Sequence, residues 1–168
     1  MSAVVVMGVS GAGKSRVGRA VAEALGWEFV EGDDHHPAAN VDKMSRGVAL
    51  TDDDRAPWLG ALNELLTDRE RAGADVVLSC SALKRDYRRR LADGLDDVQF
   101  VHLDVPPEVV AARVADREGH FMPVSLVTSQ FEALEAPDES EALILDATRP
   151  ASELTEEILQ RLHLDSAG

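Results

Sequence analysis

Two rhythms of apolar and polar residues alternate along this chain. Ala3 to Met7 is a valine-rich run of strand length. A glycine-rich stretch follows it. Val17, Ala20, Val21, Ala24 and Leu25 then recur at i, i+3, i+4, i+7 and i+8, the stripe of an amphipathic helix. Gly26 suits the position just past its end. Trp27 to Glu31 reads as a second short strand, running into the loop Gly32-Asp33-Asp34-His35-His36-Pro37. Ala38 to Arg46 reads as helical, stopped by Gly47. Thr51 to Asp54 opens a longer helix, with acids at its positive end and Trp58, Leu59, Leu62, Leu65 and Leu66 as its buried stripe. Pro57 is tolerated in a first turn, which favours Asp54 over Thr51 as the cap. Val76 to Leu78 is a buried strand ending in Ser79-Cys80-Ser81, and a basic helix follows it. Val98 to Val105 is the next strand, and Pro107 suits the first position of the helix after it. Gly119 to Pro123 breaks the pattern before a helix from about Val124 to Leu134. Leu143 to Leu145 is the last strand and Ala151 to Leu162 the last helix, with a frayed tail after His163. Strands alternating with helices predict an α/β fold, a mostly parallel sheet of about five strands covered on both faces. At 168 residues the chain, 1–168, reads as one domain.

Charge and composition narrow the function. The net charge of −14 argues against a nucleic-acid or membrane-surface role. An anionic substrate must then be drawn by a local basic pocket against the overall field. One cysteine, Cys80, excludes an internal disulfide and suits a reducing compartment. The first apolar run is too short for a signal sequence, and no run approaches the ~20 apolar residues of a spanning helix. The expected location is the cytoplasm.

The glycine-rich stretch is Gly8-Val9-Ser10-Gly11-Ala12-Gly13-Lys14-Ser15, which fits the phosphate-binding pattern G-x-x-x-x-G-K-[ST]. It lies between a strand and a helix, as that chemistry requires. The glycines let consecutive N–H groups point inward and cradle phosphate oxygens at the positive end of the helix. Lys14 adds a point charge on the β- and γ-phosphates, and the Ser15 hydroxyl ligates Mg²⁺.

A phosphate loop specifies a nucleotide, not a reaction. Three further features point to a kinase. Asp33 closes the second strand, beside the loop in a fold of this type. It can accept the proton of a substrate hydroxyl or orient that hydroxyl toward the γ-phosphate. The plainer reading makes Asp33 and Asp34 turn residues. His35 and His36 are adjacent and would point apart, so they share no metal; one can hydrogen-bond substrate, or both lie in a surface turn. Arg113 and Arg117 share a helical face before the glycine break. On a mobile flap they can neutralise the γ-phosphoryl charge and exclude water; otherwise they form a solvated face, with Arg113 pairing Asp116. Lys84 to Arg90 concentrates five cations in this acidic chain. Lys84 and Arg88, at i and i+4, can hold a carboxylate or a phosphate, whereas Arg85, Arg89 and Arg90 read as a surface stripe paired with Asp86 and Asp93. Cys80, His102 and Met7 read as packing residues.

Together the stretches GVSGAGKS, GDDHHPAANVDKM, LTDDDRAPWL, CSALKRDYR, REGHFMP and LVTSQFEALEAP resemble bacterial gluconokinases of the thermoresistant type, from about Val4 to Leu162. That resemblance implies ATP-dependent phosphorylation of D-gluconate on its 6-hydroxyl, feeding the pentose phosphate pathway. It also implies Mg²⁺, a nucleoside-monophosphate-kinase-like P-loop fold, a closing lid over about 113–130, and a homodimer. Carried over by position, Gly8 to Ser15 bind ATP, Asp33 faces the substrate hydroxyl, and Arg117 with His120 belong to the lid. Arg55 and Lys84 are candidates for gripping gluconate, and His36 is a further candidate for a hydrogen bond to substrate. Arg149 lies near the adenine by analogy with the fold. Ala12 replaces the Ser or Cys common in the family's loop. The strand ending at Ser79 offers no Walker-B aspartate, which leaves Asp33, through water, as the second Mg²⁺ anchor. Two alternatives stay open: a kinase for another small hydroxylated acid such as shikimate, and a nucleotide-binding regulator without turnover.

Overall fold

A computed structural model describes residues 3–115, 124–162 and 164. Five parallel strands form one sheet in the order β2-β3-β1-β4-β5. They are β1 Ala3–Met7, β2 Glu28–Glu31, β3 Val76–Ser79, β4 Val98–Asp104 and β5 Ala142–Asp146. The helices between them are α1 Lys14–Leu25, α2 Ala38–Ser45, α3 Asp52–Arg71, α4 Arg85–Ala92, α5 Pro107–Ala115, α6 Val124–Ala133 and α7 Ala151–Arg161. The expected fold class is the one observed.

Burial follows strand position. β1 and β3 lie inside the sheet and every residue of each is buried. They therefore read as unbroken apolar runs, as strands covered on both faces do. The edge strand β2 leaves Glu28 exposed. Successive side chains point to opposite faces. Val4 and Val6, with Val77, Val101 and Leu103, pack under α1, α5 and α7 against Val17, Val21, Val110, Leu154 and Ile158. Val5 and Met7, with Val76, Leu78 and Phe100, pack under α3 and α4 against Trp58, Leu59, Leu62, Tyr87 and Leu91. Truncating one fully buried leucine of this second layer, such as Leu62, costs about 2–5 kcal/mol.

One boundary expectation is corrected. The cap of α3 is Thr51, not Asp54. Thr51 Oγ1 accepts from the Asp54 N–H at 3.1 Å, and Asp54 Oδ2 accepts from the Thr51 N–H at 2.9 Å. Two otherwise orphaned donors are satisfied at once, which outweighs the position of Pro57. The proline falls in the second turn, where its missing N–H removes one ladder bond.

Two close approaches set up the cleft. The backbone of Gly8 is tied to the end of β3 by its N–H bond to the Ser81 carbonyl at 3.2 Å. A Cβ at Gly32 would collide with the Ser79 carbonyl, so only glycine lets the chain leave β2 this tightly and turn toward the phosphate loop.

Candidate active site

The carboxyl end of the parallel sheet carries the site, where open α/β folds place their ligands. The phosphate loop leaves β1 and enters α1 through Gly13, whose φ of 94° is left-handed. Lys14 is buried and its Nζ donates to the Val9 carbonyl at 3.0 Å. Burial pushes its pKa down, and the charges of Asp33, Cys80 and Glu31 oppose that shift. Arg113 of α5 braces the loop from outside, donating to the Gly11 carbonyl at 2.9 Å and the Ala147 carbonyl at 2.7 Å.

Glu31, at the end of β2, accepts hydrogen bonds from the Ser15 hydroxyl and, at 2.6 Å, from the Ser79 hydroxyl. Sequence reasoning passed over it as a strand residue. The available signal was its place: an acid at a strand end, in a chain whose β3 ends in serine. Mg²⁺ takes one or two carboxylates plus phosphate and water oxygens, not a full protein cage. The Ser15 hydroxyl with the Glu31 carboxylate fits that demand. Among the described residues, no three His, Cys, Asp or Glu gather as a closed metal cage.

Beside the loop lies the acceptor cleft, lined by Ser10, Lys14, Asp33, His36, Arg55, Trp58 and Gln130 among others. Asp33 stands on the 3-10 turn Gly32–His35 with its side chain 62% exposed. His36 is stacked on Trp58, ring centroids 4.1 Å apart, and its Nε2 lies 3.9 Å from Asp33 Oδ1. Burial, with Arg55 nearby, lowers the His36 pKa against the pull of Asp33, so the ring is neutral at neutral pH. Arg55 Nη1 donates to the Tyr87 hydroxyl at 2.9 Å. Lys84 Nζ reaches Asp52 Oδ1 at 3.0 Å, and the Tyr87 hydroxyl bonds that same oxygen. A second opening, also lined by Arg55 and Lys84, continues the cleft outward. Gln130 of α6 was also missed. Its Oε1 accepts from the Ser10 N–H at 2.6 Å, which ties α6 to the phosphate loop.

The structure thus gathers Gly8 to Ser15, Asp33, His36 and Arg55 at one cleft, with Lys84 at its outer end. Arg88 is placed elsewhere. Its side chain is 3% exposed, and it donates to Glu141 at 2.7 Å and to the Ala82 and Glu135 carbonyls at 2.8 and 2.9 Å. The expected pairing with Lys84 fails because Lys84 precedes α4 in extended backbone, φ −109° and ψ 150°, so the two do not share a helical face. Arg149 turns back onto α7, donating to Glu157 at 2.8 Å. Arg117 and His120, and the middle of the 113–130 segment, lie outside the described residues. Cys80 is buried, its thiol pushed up to about 12 by that burial, so it supplies no nucleophile at neutral pH.

A phosphate loop at the carboxyl end of a parallel sheet, with a polar acceptor cleft beside it, defines a P-loop kinase. The family described as "AAA domain" matches residues 4–137. The gluconokinase of Gluconobacter oxydans (strain 621H) is 51% identical over 141 residues, covering 84% of this chain and 79% of that protein. The thermosensitive gluconokinase of Escherichia coli (strain K12) is 44% identical over 158 residues, covering 93% and 84%. The crystal structure of a gluconokinase from Sinorhizobium meliloti 1021 superposes with a TM-score of 0.87 at 48% identity, covering 96% of this chain and 91% of that one. The chain belongs to the gluconokinase family.

Proposed function

We propose that this protein transfers the γ-phosphoryl group of ATP to the 6-hydroxyl of D-gluconate, giving 6-phospho-D-gluconate and ADP. The observation that carries the reading is the placement of Asp33 and Lys14 on one cleft, in a chain of the gluconokinase family. The N–H groups of Gly8 to Ser15 hold the β- and γ-phosphates, and Lys14 leaves the Val9 carbonyl to neutralise them. The Ser15 hydroxyl and the Glu31 carboxylate would hold Mg²⁺, which would supply further charge neutralisation. Asp33 orients the acceptor hydroxyl and takes its proton as the new O–P bond forms and the bond to the ADP oxygen breaks. Arg55 and Lys84 receive the carboxylate at the far end of the substrate, where Arg55 offers a bidentate fork. Arg113 keeps the loop in shape. Arg117 and His120, on a lid over about 113–130, close the site against water, which would otherwise accept the phosphoryl group. The reading includes a cytoplasmic homodimer; no described helix is long and apolar enough to cross a membrane.

ADP release with Mg-ATP, measured across D-gluconate, shikimate, a nucleoside monophosphate, glucose and no acceptor, tests the proposal. Release with gluconate alone supports it. Release with a different acceptor keeps the kinase and discards the substrate. Equal release with and without acceptor makes the protein an ATPase.

A further inference from the structure

The acceptor cleft contains a histidine that is packed from behind. The His36 side chain is 4% exposed and lies flat on Trp58, the planes 17° apart. Trp58 is itself pinned, its Nε1 donating to the Gly32 carbonyl at 2.8 Å. Behind the ring sits Asn40, 3% exposed. Asn40 Nδ2 donates to the Asp54 backbone carbonyl at 2.8 Å. A carbonyl only accepts, so that end of the amide is the NH₂, which has a second hydrogen to give. It faces His36 Nδ1 at 3.2 Å. Nδ1 must then accept, and a neutral imidazole carries its one proton on the other nitrogen. That nitrogen, Nε2, is the one 3.9 Å from Asp33 Oδ1, and it has no hydrogen-bond partner among the described residues.

We propose that Asn40 is a positioning residue: it holds His36 as the Nε2–H tautomer, which donates to one oxygen of Asp33 and leaves the other for the acceptor hydroxyl. The proposal rests on the kinase reading of Asp33. The present separation exceeds a hydrogen bond, and it shortens when the cleft fills, as catalytic hydrogen bonds left loose in an empty enzyme do. With the proton on Nδ1 instead, a bare ring nitrogen would face the carboxylate and repel it.

Long-range ¹H–¹⁵N spectra of the histidine rings, with His36 assigned through His36→Gln, read the tautomer directly. The expected wild-type spectrum shows Nε2 protonated and Nδ1 bare. In Asn40→Asp, at a pH high enough that the ring carries a single proton, the new carboxylate draws that proton to Nδ1, and kcat there falls on the order of tenfold with KM for ATP unchanged. Glutamine at this position offers an amide N–H toward Asp33 and has no tautomer to lose. Placed in the His36→Gln background, Asn40→Asp therefore lowers kcat by less than about twofold, a non-additive pair. A merely structural asparagine gives equal losses in both backgrounds, and that result overturns the proposal. So does a wild-type ring protonated at Nδ1, which requires no variant to fold. The spectrum needs no turnover, so absent gluconate phosphorylation would defeat the function while leaving the tautomer result standing.

Discussion

The two halves of the cleft are built in opposite ways. The nucleotide half comes from eight consecutive residues, Gly8 to Ser15, between one strand and one helix. The acceptor half collects Asp33 from a 3-10 turn, His36 before α2, Arg55 from α3 and Lys84 before α4. Phosphate is held chiefly by backbone N–H groups, which one local conformation can aim together. A polyol acid must be read by side chains, and these converge only when the separate elements that carry them pack together. The nucleotide half is therefore brittle at single positions, and the acceptor half depends on a network.

That contrast can be broken or sharpened by substitution. Lys14→Ala should lower kcat/KM for ATP on the order of 10³-fold, because a buried charge on the transferring group is lost. Normal activity in this variant would sink the phosphate-loop reading. Asp33→Ala should lower kcat by about 10²-fold while ATP still binds, as nucleotide titration would report. If kcat holds, Asp33 has no part in the chemistry. Arg55→Ala should raise KM for gluconate by about tenfold to a hundredfold and leave KM for ATP alone. Arg88→Ala, by contrast, should leave both KM values alone and lower stability by about 3 kcal/mol, since the carboxylate and carbonyls it joins lose a buried cation. A gluconate-specific KM defect in Arg88→Ala would restore it to the substrate site.

Smaller effects follow. Glu31→Gln should reduce kcat about tenfold and move the activity optimum to higher Mg²⁺, if this carboxylate anchors the ion. An unchanged Mg²⁺ titration would remove it from the metal site. Least of all is the capping carboxyl of Asp54, held down to about 2 chiefly by the hydrogen bond from Lys43, then by the Thr51 N–H. Its folded pKa lies below the unfolded value of 3.8, so its contribution is present above about pH 4 and lost as pH falls toward 2. Asp54→Asn should lower the melting temperature by a few degrees at pH 7 and by less at pH 2.5. An equal loss at both values would show that the charge is irrelevant.

Much of this is legible in the sequence. The order of strands and helices followed from the apolar rhythm, because burial on both faces leaves β1 and β3 as continuous valine-rich runs; α2, α6 and α7 ended within a residue of expectation, while α3 began three residues earlier than its expected cap allowed. The position of Pro57 alone points to the wrong cap for α3, because the reciprocal bonds of Thr51 and Asp54 decide it. Spacing alone misplaces Arg88, because i and i+4 neighbours share a face only inside a helix, and Lys84 stands just outside one. Glu31 and Gln130 were overlooked because neither belongs to a local pattern; each reaches the phosphate loop from another part of the chain, 16 and 120 residues away.

By itself, then, the sequence determined the phosphate loop, the alternation that makes a parallel sheet, and the family. These rest on local backbone conformation and on periodic burial, both written in neighbouring residues. Only the tertiary structure decided which cations line the cleft, which carboxylate meets Ser15, and which nitrogen of His36 faces Asn40. The first two are contacts between residues distant in the chain, and strand order, helix packing and the close approach at Gly32 bring them together.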